Sequence, residues 1–186
     1  MDKQHIDLRG TILDGRILDV GGGGEGVIAR HCGNDVVVID RWRDELEESP
    51  DIGLKIVMDG CDMQFLDDTF DNVTYFYSLM YMDEKNAAKS LREARRVLKS
   101  SGCLWIWDAV MPYPATAEIF LASLDIVLSD IQSITPTYGV SWHKGQTAHS
   151  VAAMCEASGF VIVESASDGQ SFFLKAKKGR RRQWIN

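Results

Sequence analysis

A β-forming run that empties into four consecutive glycines and then a helix-forming segment, ILDVGGGGEGVIAR at residues 17–30, limits most what this chain can become. Glycine turns the backbone sharply and lets another group approach with no Cβ in the way, so a strand–turn–helix unit of an open parallel sheet is expected here. Further β-rich runs follow, and with residues 16–20 they make seven candidate strands: 35–40, 54–58, 72–77, 103–108, 160–165 and 171–177. Most alternate with helical segments, the order that builds an α/β domain with a parallel sheet covered on both faces. The last two are separated only by residues 166–170, containing Asp168 and Gly169. That spacing is too short for a crossover helix and predicts an antiparallel hairpin, so one strand at the C-terminal edge runs in reverse.

Two helices stand out between strands. One starts at Asp83, a good N-cap, and places Ala87, Leu91, Ala94 and Leu98 on one stripe before Gly102. The second is expected over residues 116–132, with Ile119, Phe120, Leu121, Leu124, Ile126, Val127, Leu128 and Ile131. Its apolar face is too wide for one sheet surface, so part of it faces a ligand, another subunit or the preceding Pro-rich loop.

At 186 residues the chain suits one domain over 1–186, and its 45% hydrophobic content supplies a core without staples. The net charge is −7, but six basic residues fall between Lys175 and Arg182, leaving 14 basic against 27 acidic residues elsewhere. Such an acidic body opposes nucleic-acid phosphates, and the basic tail at 179–186 reads as a solvated end. Cys32, Cys61, Cys103 and Cys155 stand singly with no C-x-x-C pair, so no metal is expected. The polar start and the lack of an 18-residue apolar window predict no membrane span and a cytoplasmic protein with reduced thiols.

In open parallel sheets ligands bind beyond the C-terminal ends of the strands. The spacing G-x-G-x-x-G at Gly21, Gly23 and Gly26 serves dinucleotides and other nucleosides alike, so the neighbouring charges decide. Asp19, just before the loop, repels a pyrophosphate and attracts an ammonium, unless it only bonds turn amides. Asp40, nineteen positions after Gly21, is placed to accept both hydroxyls of a ribose, or else to cap a helix over 41–48.

A third stretch, DGCDMQFLDDTFD at 59–71, joins the first two in an ordered match. Together they resemble a class I S-adenosylmethionine-dependent methyltransferase, similar to the small-molecule type 11 group, whose corresponding segments read like LDxGxGxG and DAxxLPFPDxSFD. EARRVLKSSGCLWIWD at 93–108 is similar to the family's helix, turn and fifth strand, and ASGFVIVES at 157–165 to its approach to the sixth. The resemblance implies a single Rossmann-like three-layer domain around a seven-stranded, mostly parallel sheet. It also implies S-adenosylmethionine as cofactor, with Asp19, Gly21, Gly22 and Gly23 at the methionine part and Asp40 on the ribose, with Arg41 beside it. Asp59 would meet the adenine amino group, Gly60 a ring nitrogen, and Tyr77 and Ser78 the methyl end. The family's third glycine falls at Glu25, with Gly26 one step later, and this leaves the register of the loop at 21–26 open.

A sulfonium carries its own leaving group, so methyl transfer needs chiefly alignment of the acceptor at about 3–3.5 Å, and a base only for protonated acceptors. YFYSLMY at 75–81 stands where an Asn-Pro-Pro-Tyr-like element would read nucleic-acid bases, and none of the cysteines follows a proline. A small-molecule acceptor is expected. The acceptor side is expected from 108–114 and 135–147, within a substrate-side insertion at 111–146. His143 is the candidate base, and Tyr81 with Tyr113, Tyr138 and Trp142 a candidate aromatic wall, suited to a cationic amine. The short segment before the first strand leaves a pocket that is open or completed by a second subunit of a homo-oligomer. Rival readings are a non-catalytic S-adenosylmethionine-binding or regulatory module, a nicotinamide-dependent oxidoreductase, and a protein methyltransferase acting on a basic target.

Overall fold

The computed structural model describes residues 3–179. Its centre is a seven-stranded sheet made of β2 (Ile17–Val20), β3 (Val36–Asp40), β4 (Leu54–Val57), β5 (Phe70–Phe76), β6 (Leu98–Ala109), β10 (Phe160–Ser167) and β11 (Ser171–Lys178). The spatial order is β10-β11-β6-β5-β2-β3-β4, with every pairing parallel except those of β11. All seven expected strands are present, and the reversed one is β11, for the reason that the 168–170 turn leaves no room for a crossover. Strand order reverses between β2 and β5, the switch point at which such sheets open a crevice.

Successive residues of the central strands feed two cores. Ile17, Val36 and Val38 face one side, where they pack with Val27, Ile28 and Leu46 of α1 (Val27–Cys32) and α2 (Arg43–Glu48). Leu18, Val20 and Ile39 face the other, with Leu91 and Ala94 of α3 (Glu84–Val97) and Val151 and Cys155 of α4 (Ala148–Ala157). The α3 helix starts as expected, with the Asp83 carboxylate accepting the Asn86 N–H at 2.7 Å. It ends at Val97 rather than near Gly102, because Leu98 already begins β6.

The helix expected over 116–132 is a strand. β7 (Ile119–Ser129) alternates strictly, with Phe120, Ala122, Leu124, Ile126 and Leu128 buried. Ile119 and Leu121 lie on its other face, half-exposed, so apolar residues on both faces produced the width that reads as a helix. β7 folds back through 130–131 onto β8 (Gln132–Ile134) and β9 (Thr137–Ser141) in antiparallel pairing, with a register shift between Val127 and Ser129. Pro136 interrupts that partner because it has no N–H for the ladder, although its carbonyl still accepts the Leu124 N–H at 2.9 Å. On the opposite edge of β7 lies β1 (Gln4–Asp7), in parallel pairing. This second sheet packs its Phe120, Leu124 and Ile126 against the Trp105, Trp107 and Phe76 face of the central sheet. The three layers are as expected, but one outer layer is half sheet and half helix.

Trp105 and Trp107 are core residues, stacked at 6.1 Å, and the Lys175 ammonium lies 3.9 Å over the Trp105 ring. Of the basic tail read at 179–186, all but Gly179 lies outside the described residues. No helix among them is long and apolar enough to cross a membrane.

Candidate active site

Three adjacent parallel strands, β2, β3 and β4, deliver an aspartate each to the same end of the sheet: Asp19 within β2, Asp40 closing β3, and Asp59 two residues beyond β4. Asp19 is 1% exposed, and its Oδ1 accepts the Thr74 hydroxyl of β5 at 2.7 Å. Burial pushes its carboxyl up to about 7, and the nearby Asp40 charge adds to the rise. The carboxylate lies directly against the glycine loop, since a Cβ on Gly22 would sit 2.1 Å from Asp19 Oδ2. Asp40 borders the cleft and lies just before α2, whose N-cap is Trp42 with no side-chain cap. Its Oδ1 accepts the Trp42 N–H at 2.9 Å and turns the chain into α2, while Oδ2 takes the Gly23 N–H at 3.4 Å and still faces the cleft. Asp59 Oδ1 accepts the Cys61 N–H at 2.8 Å.

The register of the loop follows from its dihedrals. Gly26, at φ 57°, supplies the left-handed residue that opens α1, so Glu25 occupies the preceding place without strain.

These elements enclose a cleft of about 900 Å³. Its wall includes Asp19, Gly21, Gly22, Gly23, Asp40, Arg41, Asp59, Gly60, Tyr77 and Ser78, and on the far side Tyr81 and His143. The sequence reading missed Glu25, Glu45, Phe76 and Asn86, which line it too. Glu45 lies in α2, five positions after Asp40, and its carbonyl takes the Gly24 N–H at 2.8 Å. Burial and the surrounding carboxylates raise its pKa above the usual carboxylate value. Tyr138, expected in the aromatic wall, reaches the cleft from β9.

At the end of β5 the backbone is strained: Tyr77 adopts φ 50°, a conformation a bulky residue holds only when its surroundings compel it. Its N–H donates to Trp107 O at 2.7 Å, its hydroxyl to Gln4 Oε1 at 2.5 Å, and its ring stacks on Tyr138 at 5.6 Å. Next to it the Ser78 hydroxyl is buried with no hydrogen-bond partner.

The far wall is tied down by residues 142–146. Lys144 Nζ donates to Leu79 O at 2.9 Å, Met82 O at 2.5 Å and Gln146 Oε1 at 3.3 Å, while Gln146 Nε2 donates to Ala109 O at 3.1 Å. Burial lowers the Lys144 value, against the pull of Asp108. Asp108 itself is fully buried, accepts the Met80 and Ala109 N–H groups, and is pushed up to about 6 by that burial.

The expected aromatic wall divides. Tyr81 and Tyr138 line the cleft. Tyr113 is 67% exposed elsewhere, and Trp142 packs edge-on against Phe120 with its Nε1 donating to Pro112 O at 2.8 Å. The 108–114 stretch supports the wall from behind without entering it. No group of three or more His, Cys, Asp or Glu side chains among the described residues is arranged to hold a metal ion.

No curated protein sequence matches the chain. Several solved structures share its fold. An S-adenosylmethionine-dependent methyltransferase from Methanosarcina mazei superposes with a TM-score of 0.64 at 18% identity, covering 90% of this chain and 94% of that one. A putative methyltransferase from Bacillus halodurans gives 0.63 at 19%, covering 90% and 95%. The 4+2 cyclase SpnF gives 0.65 at 18%, covering 91% and 77%. At such identities the likeness is one of fold. The family model for the methyltransferase domain matches residues 18–106. That span runs from Leu18 in β2 to Ile106 in β6 and contains the glycine loop and all three strand-end aspartates, and over it the chain is similar to the methyltransferase domain.

Proposed function

We propose that the cleft binds S-adenosylmethionine and that the protein transfers its methyl group to a small-molecule acceptor. The observation that carries this is the row of three aspartates on adjacent strand ends around a glycine loop, in a wall whose one arginine or lysine is Arg41. Such a lining suits a ligand with sulfonium and ammonium charges and opposes a pyrophosphate. The pocket also fits in shape, since Gly22 leaves Asp19 Oδ2 room that any side chain would fill, and the buried Ser78 hydroxyl has an unmet hydrogen bond to offer.

In this reading Asp19 and the backbone of Gly21, Gly22 and Gly23 hold the methionine part, and Asp40 accepts from the ribose hydroxyls with Arg41 beside it. Asp59 accepts from the adenine amino group, and the Gly60 N–H donates to a ring nitrogen. When bound, the cofactor supplies an activated methyl group with a neutral thioether as its leaving group. Tyr77 and Ser78 border the methyl end, and the strained turn at Tyr77 fixes where that border stands. Tyr81 and Tyr138 close the acceptor side and keep water from the reacting atoms. His143, exposed at the rim, is a base for acceptors that must lose a proton.

Calorimetric titration with S-adenosylmethionine and S-adenosylhomocysteine tests this. The parent is expected to bind both, and Asp40→Ala and Asp59→Ala each to weaken binding by roughly tenfold or more, the loss of a hydrogen bond to a charged group. A parent that binds neither, yet binds NAD, would falsify the assignment.

A further inference from the structure

Beyond the three aspartates the same cleft carries acidic groups that the nucleoside does not use. Glu25 stands on the glycine loop, Glu45 on α2 and Asp83 at the start of α3, while Arg41 lies over the Trp42 ring at the nucleoside end. Glu25 occupies the place where the family's third glycine falls and faces the Tyr138 hydroxyl. Tyr138 in turn rests on the Tyr77 ring, so its position over the cleft is fixed by packing from below. Across from it stands Tyr81, half-exposed. An independent observation comes from Ser78, which is 5% exposed with a hydroxyl that has no partner. That hydroxyl lies by Gly21, at 3.4 Å from where a Cβ would stand. Carboxylate, aromatic faces and a free hydroxyl together form a lining that attracts a cation, orients it and repels an anion.

We propose, resting on the S-adenosylmethionine reading above, that the methyl acceptor is an amine that enters as an ammonium ion and docks on Glu25 between Tyr81 and Tyr138. The nitrogen must lose a proton before it reacts, and His143 at the rim of the cleft takes it while Glu25 stays ionised as the counter-charge. The nitrogen lone pair then forms the new N–C bond as the C–S bond breaks with its electrons remaining on sulfur, and the proton passes from His143 to water. Both phenols stay protonated, since burial pushes Tyr81 up to about 12 and Tyr138 further still, so they act as donors and ring faces rather than bases. The Ser78 hydroxyl accepts a hydrogen bond from the amine.

The test uses the intact protein saturated with S-adenosylhomocysteine, titrated calorimetrically with benzylamine, benzyl alcohol and benzoate, which share a ring and differ in charge. Benzylamine is expected to bind at least tenfold more tightly than either of the others, and Glu25→Gln to weaken it at least fivefold with S-adenosylhomocysteine affinity unchanged within about threefold. Equal affinity for the three probes, tighter binding of benzoate, or no benzylamine binding overturns the amine assignment while the nucleoside site stands. A Glu25→Gln protein that loses S-adenosylhomocysteine and keeps benzylamine also overturns it, placing Glu25 with the cofactor. Failure of the parent to bind S-adenosylhomocysteine overturns both readings at once.

Discussion

Asp19 concentrates the chemistry of the site in one carboxylate. Its folded value of about 7 lies above the ordinary 3.8, so the native state holds a proton there that the unfolded chain has released. The sign follows: between pH 4 and 7 the native state binds more protons, and this contribution to stability is lost as pH rises through the window. Asp108, at about 6, contributes in the same direction. Asp19→Asn removes the charge and keeps an acceptor for Thr74. Its melting temperature is expected to exceed the parent's increasingly between pH 5 and pH 8, with a gain on the order of 1–4 kcal/mol at the upper end. Thermal denaturation across that range, without ligand, checks this, and a gap that stays constant with pH would contradict it. The same substitution is expected to weaken S-adenosylmethionine, because the strained charge is what a cation relieves.

The element that sequence reading mistook has an inside and an outside that differ sharply. In β7 Ile126 is fully buried and Leu121 is half-exposed. Ile126→Ala is expected to cost about 2–5 kcal/mol in urea unfolding, and Leu121→Ala less than about 1 kcal/mol. Helical packing would put the sensitive positions three and four apart, whereas a strand puts them two apart. The segment after β9 behaves as a fastener. Lys144→Met leaves the Leu79 and Met82 carbonyls without their donor and Asp108 without its counter-charge, at a cost of about 1–3 kcal/mol in the same measurement. S-adenosylmethionine affinity is expected to change little, since Lys144 is outside the cleft wall.

At the scale of the molecule, the fold alone does not specify the reaction, and SpnF, a cyclase on this scaffold, makes the point. Incubation with methyl-labelled S-adenosylmethionine and a metabolite extract is expected to yield S-adenosylhomocysteine and a labelled small molecule. Cofactor that binds and is never consumed would favour a regulatory module instead.

The central sheet and the glycine-loop side of the cleft were legible because each depends on residues close in sequence. A short β-rich run ends in an acid or a glycine, and the chemistry sits within a few positions of the strand end. Asp19, Asp40 and Asp59 were readable one by one, and parallel pairing of β2, β3 and β4 brings them to one edge. The opposite wall of the cleft depends on contacts between distant segments. Only folding shows that 119–141 is a hairpin with apolar residues on both faces, that Tyr138 stacks on Tyr77, and that Gln4 meets the Tyr77 hydroxyl. Local periodicity decides a helix or a strand when one face is polar. Where both faces are apolar, the choice falls to the partner surface, here the Trp105, Trp107 and Phe76 face of the central sheet.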